Sequence, residues 1–357
     1  MLRVLRHTWF GLGVCVLGSC ARTQPPVRAQ PVPETAAGPS PSAIETSLTA
    51  PRCDFSKPLR VVGRWVTETP LENLEIAADD QKLLLQSVNR IAVFSTQLGK
   101  PEWEVSRFSD PRVAVSELSM NGRMSAWSGN GNEVVCLQTH GIFAVLDAKN
   151  GAVTRSRTAA GGTRALAVAP SGPIMSASYT GSVSFWTASL KMIDVRPGIS
   201  EEPRELVVSD DGKRVLACGK RGELALVTAE SNTKMAGHKT DVRSVAVSAD
   251  GRWGASGDAS GVVILWDLAP TVPSAHQTRP FKRSVGSLSF TADGKWLAAV
   301  DWSGNLVVLR TADGSEVQRA TLRGEQYSTA LVAVRACHAH CCLMAASDDG
   351  VVFRLEL

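Results

Sequence analysis

Residues 237–267 read GHKTDVRSVAVSADGRWGASGDASGVVILWD. The stretch opens on Gly237-His238, closes on Trp266-Asp267 and holds three apolar runs between them. Ala249-Asp250-Gly251 separates the first two runs, and Ala259-Ser260-Gly261 the second and third. Short runs rich in Val, Ala and Ile, bounded by turn residues, read as β-strands. A unit of this kind cannot bury its own faces, so one unit implies several stacked together.

The others follow when the chain is aligned on the turn before each third strand. That turn falls at Asn89-Arg90, His140-Gly141, Thr180-Gly181, Arg221-Gly222, Ser260-Gly261, Ser303-Gly304 and Asp349-Gly350. Successive positions lie roughly 40 to 50 residues apart, the period of propeller blades. Each is followed by an alternating strand, among them IAVFS, IFAVLD, SVSFWT, VVILWD and VVFRLEL. Most are preceded by a second turn such as Asp211-Gly212, Asp250-Gly251 or Asp293-Gly294. The count is seven units. The last stops at Leu357 after its third strand, while LRVVGRWV, from Leu59 to Val66, precedes the first unit and has no unit of its own.

The Gly-His to Trp-Asp unit resembles a WD40 repeat. The resemblance implies an all-β fold, a seven-bladed β-propeller over residues 53–357 in which the N-terminal strand completes the last blade. Such closure leaves only short edges exposed. It also implies a structural hydrogen-bonded tetrad, for which His238, Ser256 and Trp266 match. The Asp position of that tetrad falls on Ser260 in this alignment, leaving the network incomplete, and Asp349 matches the turn position in the last blade. These residues hold blades together and do no chemistry.

The N-terminus carries Arg3 and Arg6, then an apolar stretch, WFGLGVCVLGS, that is too short to span a bilayer. It ends in Leu17-Gly18-Ser19-Cys20, which resembles the lipobox of bacterial lipoproteins. That resemblance implies a signal peptide over residues 1–19, lipidation of Cys20, and anchorage in the bacterial cell envelope. Ala21, rather than Asp, suggests the outer membrane. Residues 20–52 are rich in Pro, Ala, Ser and Thr and poor in large apolar side chains. Such a segment cannot bury enough surface to fold and favours extended conformations, so it reads as a tether.

The net charge is +4. No Lys/Arg cluster stands out, which gives no support to nucleic-acid binding. The sequence holds no Gly-x-Ser-x-Gly elbow, no His-Glu-x-x-His and no phosphate-binding Gly loop followed by Lys-Ser/Thr. The pairs Asp79-Asp80, Asp210-Asp211 and Asp348-Asp349 sit at turns, where such side chains bond local backbone. No catalytic residue, cofactor or metal site is expected.

One segment looks like a metal cluster: Cys337-His338-Ala339-His340-Cys341-Cys342. It lies where the seventh unit makes its first hairpin, which brings flanking residues to a separation that a disulfide can bridge. In an exported protein oxidation is the expected fate. Cys53 precedes the closing strand of the same blade, so a bond from Cys53 to Cys337, Cys341 or Cys342 would bolt the ring. Cys136 and Cys218 fall in middle strands and read as small buried hydrophobes.

Two functions are compatible with this chain. The first is a lipid-anchored, non-catalytic platform that binds protein partners in the cell envelope. The second is a propeller enzyme of the quinoprotein or lactonase type, whose docking repeats or converging metal ligands the sequence lacks. In a propeller, the turns between second and third strands share a face with the links between blades. Those positions carry His140, Tyr179, Arg221, Trp302 and, in the links, Phe281 and Tyr327. Aromatics and Arg are the types enriched at binding hot spots, so this face is the candidate docking surface.

Overall fold

The structure is a computed structural model that describes residues 53–55, 57–67, 69–87, 90–97, 99–105, 124–137, 142–158, 162–199, 202–270, 273–325 and 329–357. It is a β-propeller of seven four-stranded antiparallel sheets. In blade 5, for example, Val242–Val247 is the inner strand, followed by Trp253–Asp258, Val263–Asp267 and the outer strand Ser274–Thr278.

Burial is greatest in the two middle strands of a blade and least in the outer one, which explains the sequence pattern. The second and third strands are covered on both faces by neighbouring blades. Val215–Gly219 and Cys342–Ser347 are therefore buried at every residue. Such strands read as near-continuous apolar runs, in contrast to the alternation of half-buried ones. The outer strand Ser274–Thr278 is exposed at four of its five positions and is correspondingly polar.

Ring closure is as the unpaired strand requires. Arg60–Val66 pairs antiparallel with Val351–Glu356, with Arg60 opposite Glu356 and Val66 opposite Val351. Blade 7 thus consists of Leu331–Ala336, Cys342–Ser347, Val351–Glu356 and the N-terminal strand. Thr67 donates its N–H to Gly350 O at 2.7 Å, extending the seam. The residues before the strand are held too. Phe55 is buried against Trp296, with ring centroids 5.9 Å apart, and the Trp296 indole N–H donates to Cys53 O at 3.0 Å.

A second device repeats around the ring. The inner strands of blades 3 to 7 each carry a register shift at their second residue, giving bulged Arg164, Arg204, Arg243, Gly286 and Val332. A β-bulge re-aims the side chain at the extra position. Here that position stands at one end of the inner strand, beside the links between blades.

Candidate functional site

The two faces are distinguished by backbone bonds. Trp302 N–H donates to Ser284 O at 3.1 Å, Ala259 N–H to Asp241 O at 2.9 Å and Tyr179 N–H to Gly162 O at 2.8 Å. The turns between second and third strands therefore share a face, the upper one, with the links between blades. On the lower face, the first hairpins of neighbouring blades touch, as where Asp210 N–H meets Ala249 O at 3.3 Å.

On the upper face Tyr179 is 44% exposed and Trp302 46%. Each ring is stacked by an arginine of a bulge: Arg164 lies 5.0 Å from the Tyr179 centroid, and Arg243 lies 5.3 Å from that of Trp302. Trp302 therefore lies between Gly286 of its own blade and Arg243 of blade 5. Arg221 is exposed, with φ of 55°, and its N–H donates to Asp241 Oδ1 at 3.0 Å. Phe281 is a correction: it is buried, 3% exposed, in the apolar cluster between blades 5 and 6 with Val263 and Val285. Its link crosses a blade seam, and the ring fills that seam. His140 and Tyr327 lie outside the described residues, as does Cys20.

The inner strands enclose two cavities. The upper one, about 300 Å³, is lined by Glu72, Arg204, Arg243, Gly286, Trp302 and Val332 among others. The lower one, about 460 Å³, has walls of mixed polarity, with Asp210 and His338 among the lower hairpin residues that line it. Arg335, buried between them, lines both. Its guanidinium donates to Glu75 Oε1 at 2.7 Å, Asn73 Oδ1 at 3.1 Å and Ser287 Oγ at 3.1 Å, tying blades 7, 1 and 6 together.

The structural network of blade 5 is complete, which corrects the assignment of its acid to Ser260. Asp258 supplies the carboxylate. His238 Nδ1 lies 2.9 Å from Asp258 Oδ2, and Nε2 lies 2.7 Å from Ser256 Oγ. With Nδ1–H donating to the carboxylate, Nε2 accepts from the serine, which in turn accepts the Trp266 indole N–H at 2.8 Å. Burial pushes His238 below the ordinary imidazole range, against the pull of Asp258. Ser260 only reinforces the acid, donating its Oγ–H to Asp258 Oδ1 at 2.8 Å.

Two neighbouring units keep parts of that network. Trp186 donates to Ser176 Oγ at 2.9 Å in blade 3, and Asp301 holds the Asp258 position in blade 6. In blade 7 that position is Ser347, not Asp349, which instead accepts the Glu325 N–H at 2.7 Å. The readable signal was the acid three residues before the turn glycine, as in Asp258-Ala259-Ser260-Gly261 and Asp301-Trp302-Ser303-Gly304.

The cysteine segment forms two disulfides. Cys53 bonds to Cys341, and Cys337 bonds to Cys342 across the base of the hairpin, each with Cα atoms 5.3 Å apart. Cys136 and Cys218 are free and buried, and burial pushes both thiols far up. Between Cys337 and Cys341 the hairpin presents two histidines to Asp80 of blade 1. Asp80 Oδ1 accepts the His338 N–H at 2.8 Å, and Oδ2 accepts the Ala339 N–H at 2.7 Å. The His338 and His340 Nδ1 atoms lie 3.2 and 3.1 Å from those oxygens. Asp80 thus departs from the expectation of a local turn bond, whereas Asp79 keeps it with the Gln81 N–H. Among the described residues no group of three or more His, Cys, Asp or Glu side chains is placed to hold a metal ion.

No curated protein matches the chain. Residues 229–267, the third turn and outer strand of blade 4 with blade 5 as far as Asp267, match the family model described as WD domain, G-beta repeat, so this seven-bladed propeller carries a WD40 repeat.

Proposed function

We propose that the protein is a non-catalytic interaction platform that holds protein partners on its upper face, at the bacterial cell envelope. The observation that carries this reading is the pair of half-exposed rings, Tyr179 and Trp302, on one face. Both stand at the same turn of their blades, and both are braced by an arginine from a bulge. Exposed aromatic rings beside guanidinium groups have the composition of binding hot spots. The WD40 repeat in blade 5 points the same way, since such propellers serve as scaffolds.

Anchorage rests on the sequence. Leu17-Gly18-Ser19-Cys20 follows a short apolar stretch, so the mature chain begins at lipidated Cys20, with residues 20–52 as the tether. Diacylation with a further acyl chain gives stable attachment, and the outer membrane is the expected site.

Affinity capture from membranes tests the platform. The Trp302→Ala, Arg221→Ala double variant is expected to fold and to lose the partners that the wild type recovers. Unchanged recovery by a well-folded double variant rules out the upper face. Incorporation of a fatty-acid analogue is expected to depend on Cys20, and equal labelling of Cys20→Ser refutes the anchor.

A further inference from the structure

We infer that the upper cavity is a carboxylate-binding site that takes an acidic side chain of a partner peptide, with Arg243 and Trp302 as its principal contacts. This rests on the platform reading and gives that surface a ligand chemistry.

The cavity is asymmetric. On blades 4 and 5 the bulge position is arginine, Arg204 and Arg243. On blades 6 and 7 it is Gly286 and Val332, which leaves a space of about 300 Å³ facing the two guanidinium groups. Gly286 is required there, because a Cβ would stand 2.0 Å from Leu331 O. A cavity at the small end of ligand-site volumes suits one side chain.

The two arginines share one carboxylate, and it is already engaged. Asp241 Oδ1 accepts the Arg221 N–H at 3.0 Å, and Oδ2 accepts from Arg204 Nη2 at 2.9 Å. Arg243 Nη2 is left 3.9 Å from Oδ2, beyond hydrogen-bond reach. The Nε groups of Arg204 and Arg243 are buried and have no acceptor among the described residues. Arg243 therefore presents a fork of donors in a partly desolvated site, held in place by the Trp302 ring.

The other acids lining the cavity do not supply the missing acceptor. Glu205 Oε2 accepts the Val245 N–H at 2.9 Å, and Asp348 Oδ1 accepts the Ala330 N–H at 2.9 Å. Burial raises the Glu72 carboxyl, against a hydrogen bond from Gln86, and its Oε2 is buried without a hydrogen-bond partner among the described residues. A planar carboxylate matches the guanidinium fork in two parallel hydrogen bonds, whereas an ammonium or a neutral amide does not.

The test titrates the purified full-length protein with N-acetylated, C-amidated tetraglutamate and tetraglutamine peptides, read by calorimetry. Tetraglutamate is expected to bind and to weaken with added salt, and tetraglutamine to bind at least about tenfold more weakly. Arg243→Gln is expected to remove that preference at an unchanged melting temperature. Arg243→Lys, which keeps the charge but loses the fork, is expected to fall between. Equal affinity of the wild type for the two peptides, or no binding of either, overturns the inference without reference to any variant. Undiminished preference in folded Arg243→Gln overturns it as well. Partner capture by a Tyr179→Ala, Arg221→Ala variant, which leaves Arg243 and Trp302 in place, reads the platform separately, so either idea can fail alone.

Discussion

Asp80 of blade 1 and His338 of blade 7 are joined twice: Asp80 Oδ1 accepts the His338 backbone N–H at 2.8 Å and stands 3.2 Å from its Nδ1. The pair bridges the two blades between which the ring closes, and the same hairpin carries Cys341 of the bond to Cys53. The closure is therefore held by a strand, a disulfide and a buried carboxylate.

Asp80→Asn is expected to lower stability by about 2 kcal/mol, since a buried acceptor of charge-assisted bonds is replaced by an amide that can satisfy only part of the set. Chemical denaturation at pH 6 checks this, and a variant as stable as the wild type shows the clamp to be idle.

The effect of Asp80 depends on pH. Burial favours the uncharged acid, but hydrogen bonds from the His338 side chain, the His338 and Ala339 N–H groups and the His340 side chain outweigh it and hold the carboxyl at about 2. Its contribution is present above the ordinary value of 3.8 and is lost as pH falls towards 2. His338 is shifted up, chiefly by its hydrogen bond to Asp80. Its contribution is full below 6.5 and is lost as pH rises through the raised value. The stability gap between wild type and Asp80→Asn is therefore expected to be widest between about pH 4 and 6.5 and to narrow above neutrality. Denaturation curves across pH 3 to 9 read it directly, and a gap that widens towards alkaline pH contradicts the assignment.

Peptide mapping without reduction is expected to recover Cys53 linked to Cys341 and Cys337 linked to Cys342, with Cys136 and Cys218 alkylated only after unfolding. Cys53→Ser is expected to cost about 2–4 kcal/mol, because its bond spans most of the propeller and restrains the unfolded chain. Native alkylation of Cys53 in the wild type removes the bolt.

A chain beginning after Val66 leaves Val351–Glu356 as an open edge. Unpaired backbone and apolar faces invite association, so insolubility or a lower melting temperature is expected. Melting as the full chain does would mean that the N-terminal strand is not needed for closure.

Asp258→Ala is expected to cost about 2–3 kcal/mol, leaving buried His238 without its acceptor, while Ser260→Ala costs about 1 kcal/mol or less. Thermal unfolding of the two variants distinguishes them, and the reverse order restores Ser260 to the acid's place.

Much of this architecture was written in local chemistry. Turn residues such as Asp250-Gly251 and the apolar runs between them specify strands and their period. The spare strand at Leu59 to Val66, which belongs to no unit of its own, marks the strand that pairs with Val351–Glu356 and closes the ring. Those features depend on neighbours in sequence, and so they can be read there. What only the tertiary structure decided are contacts between residues far apart in the chain. Asp80 looks like any turn aspartate until the ring brings His338 beside it. Phe281 and Trp302 are both aromatic residues expected on the upper face, yet one is sealed in a blade seam and the other meets Arg243. Burial at a seam is set by how adjacent blades pack, and no local spacing encodes it.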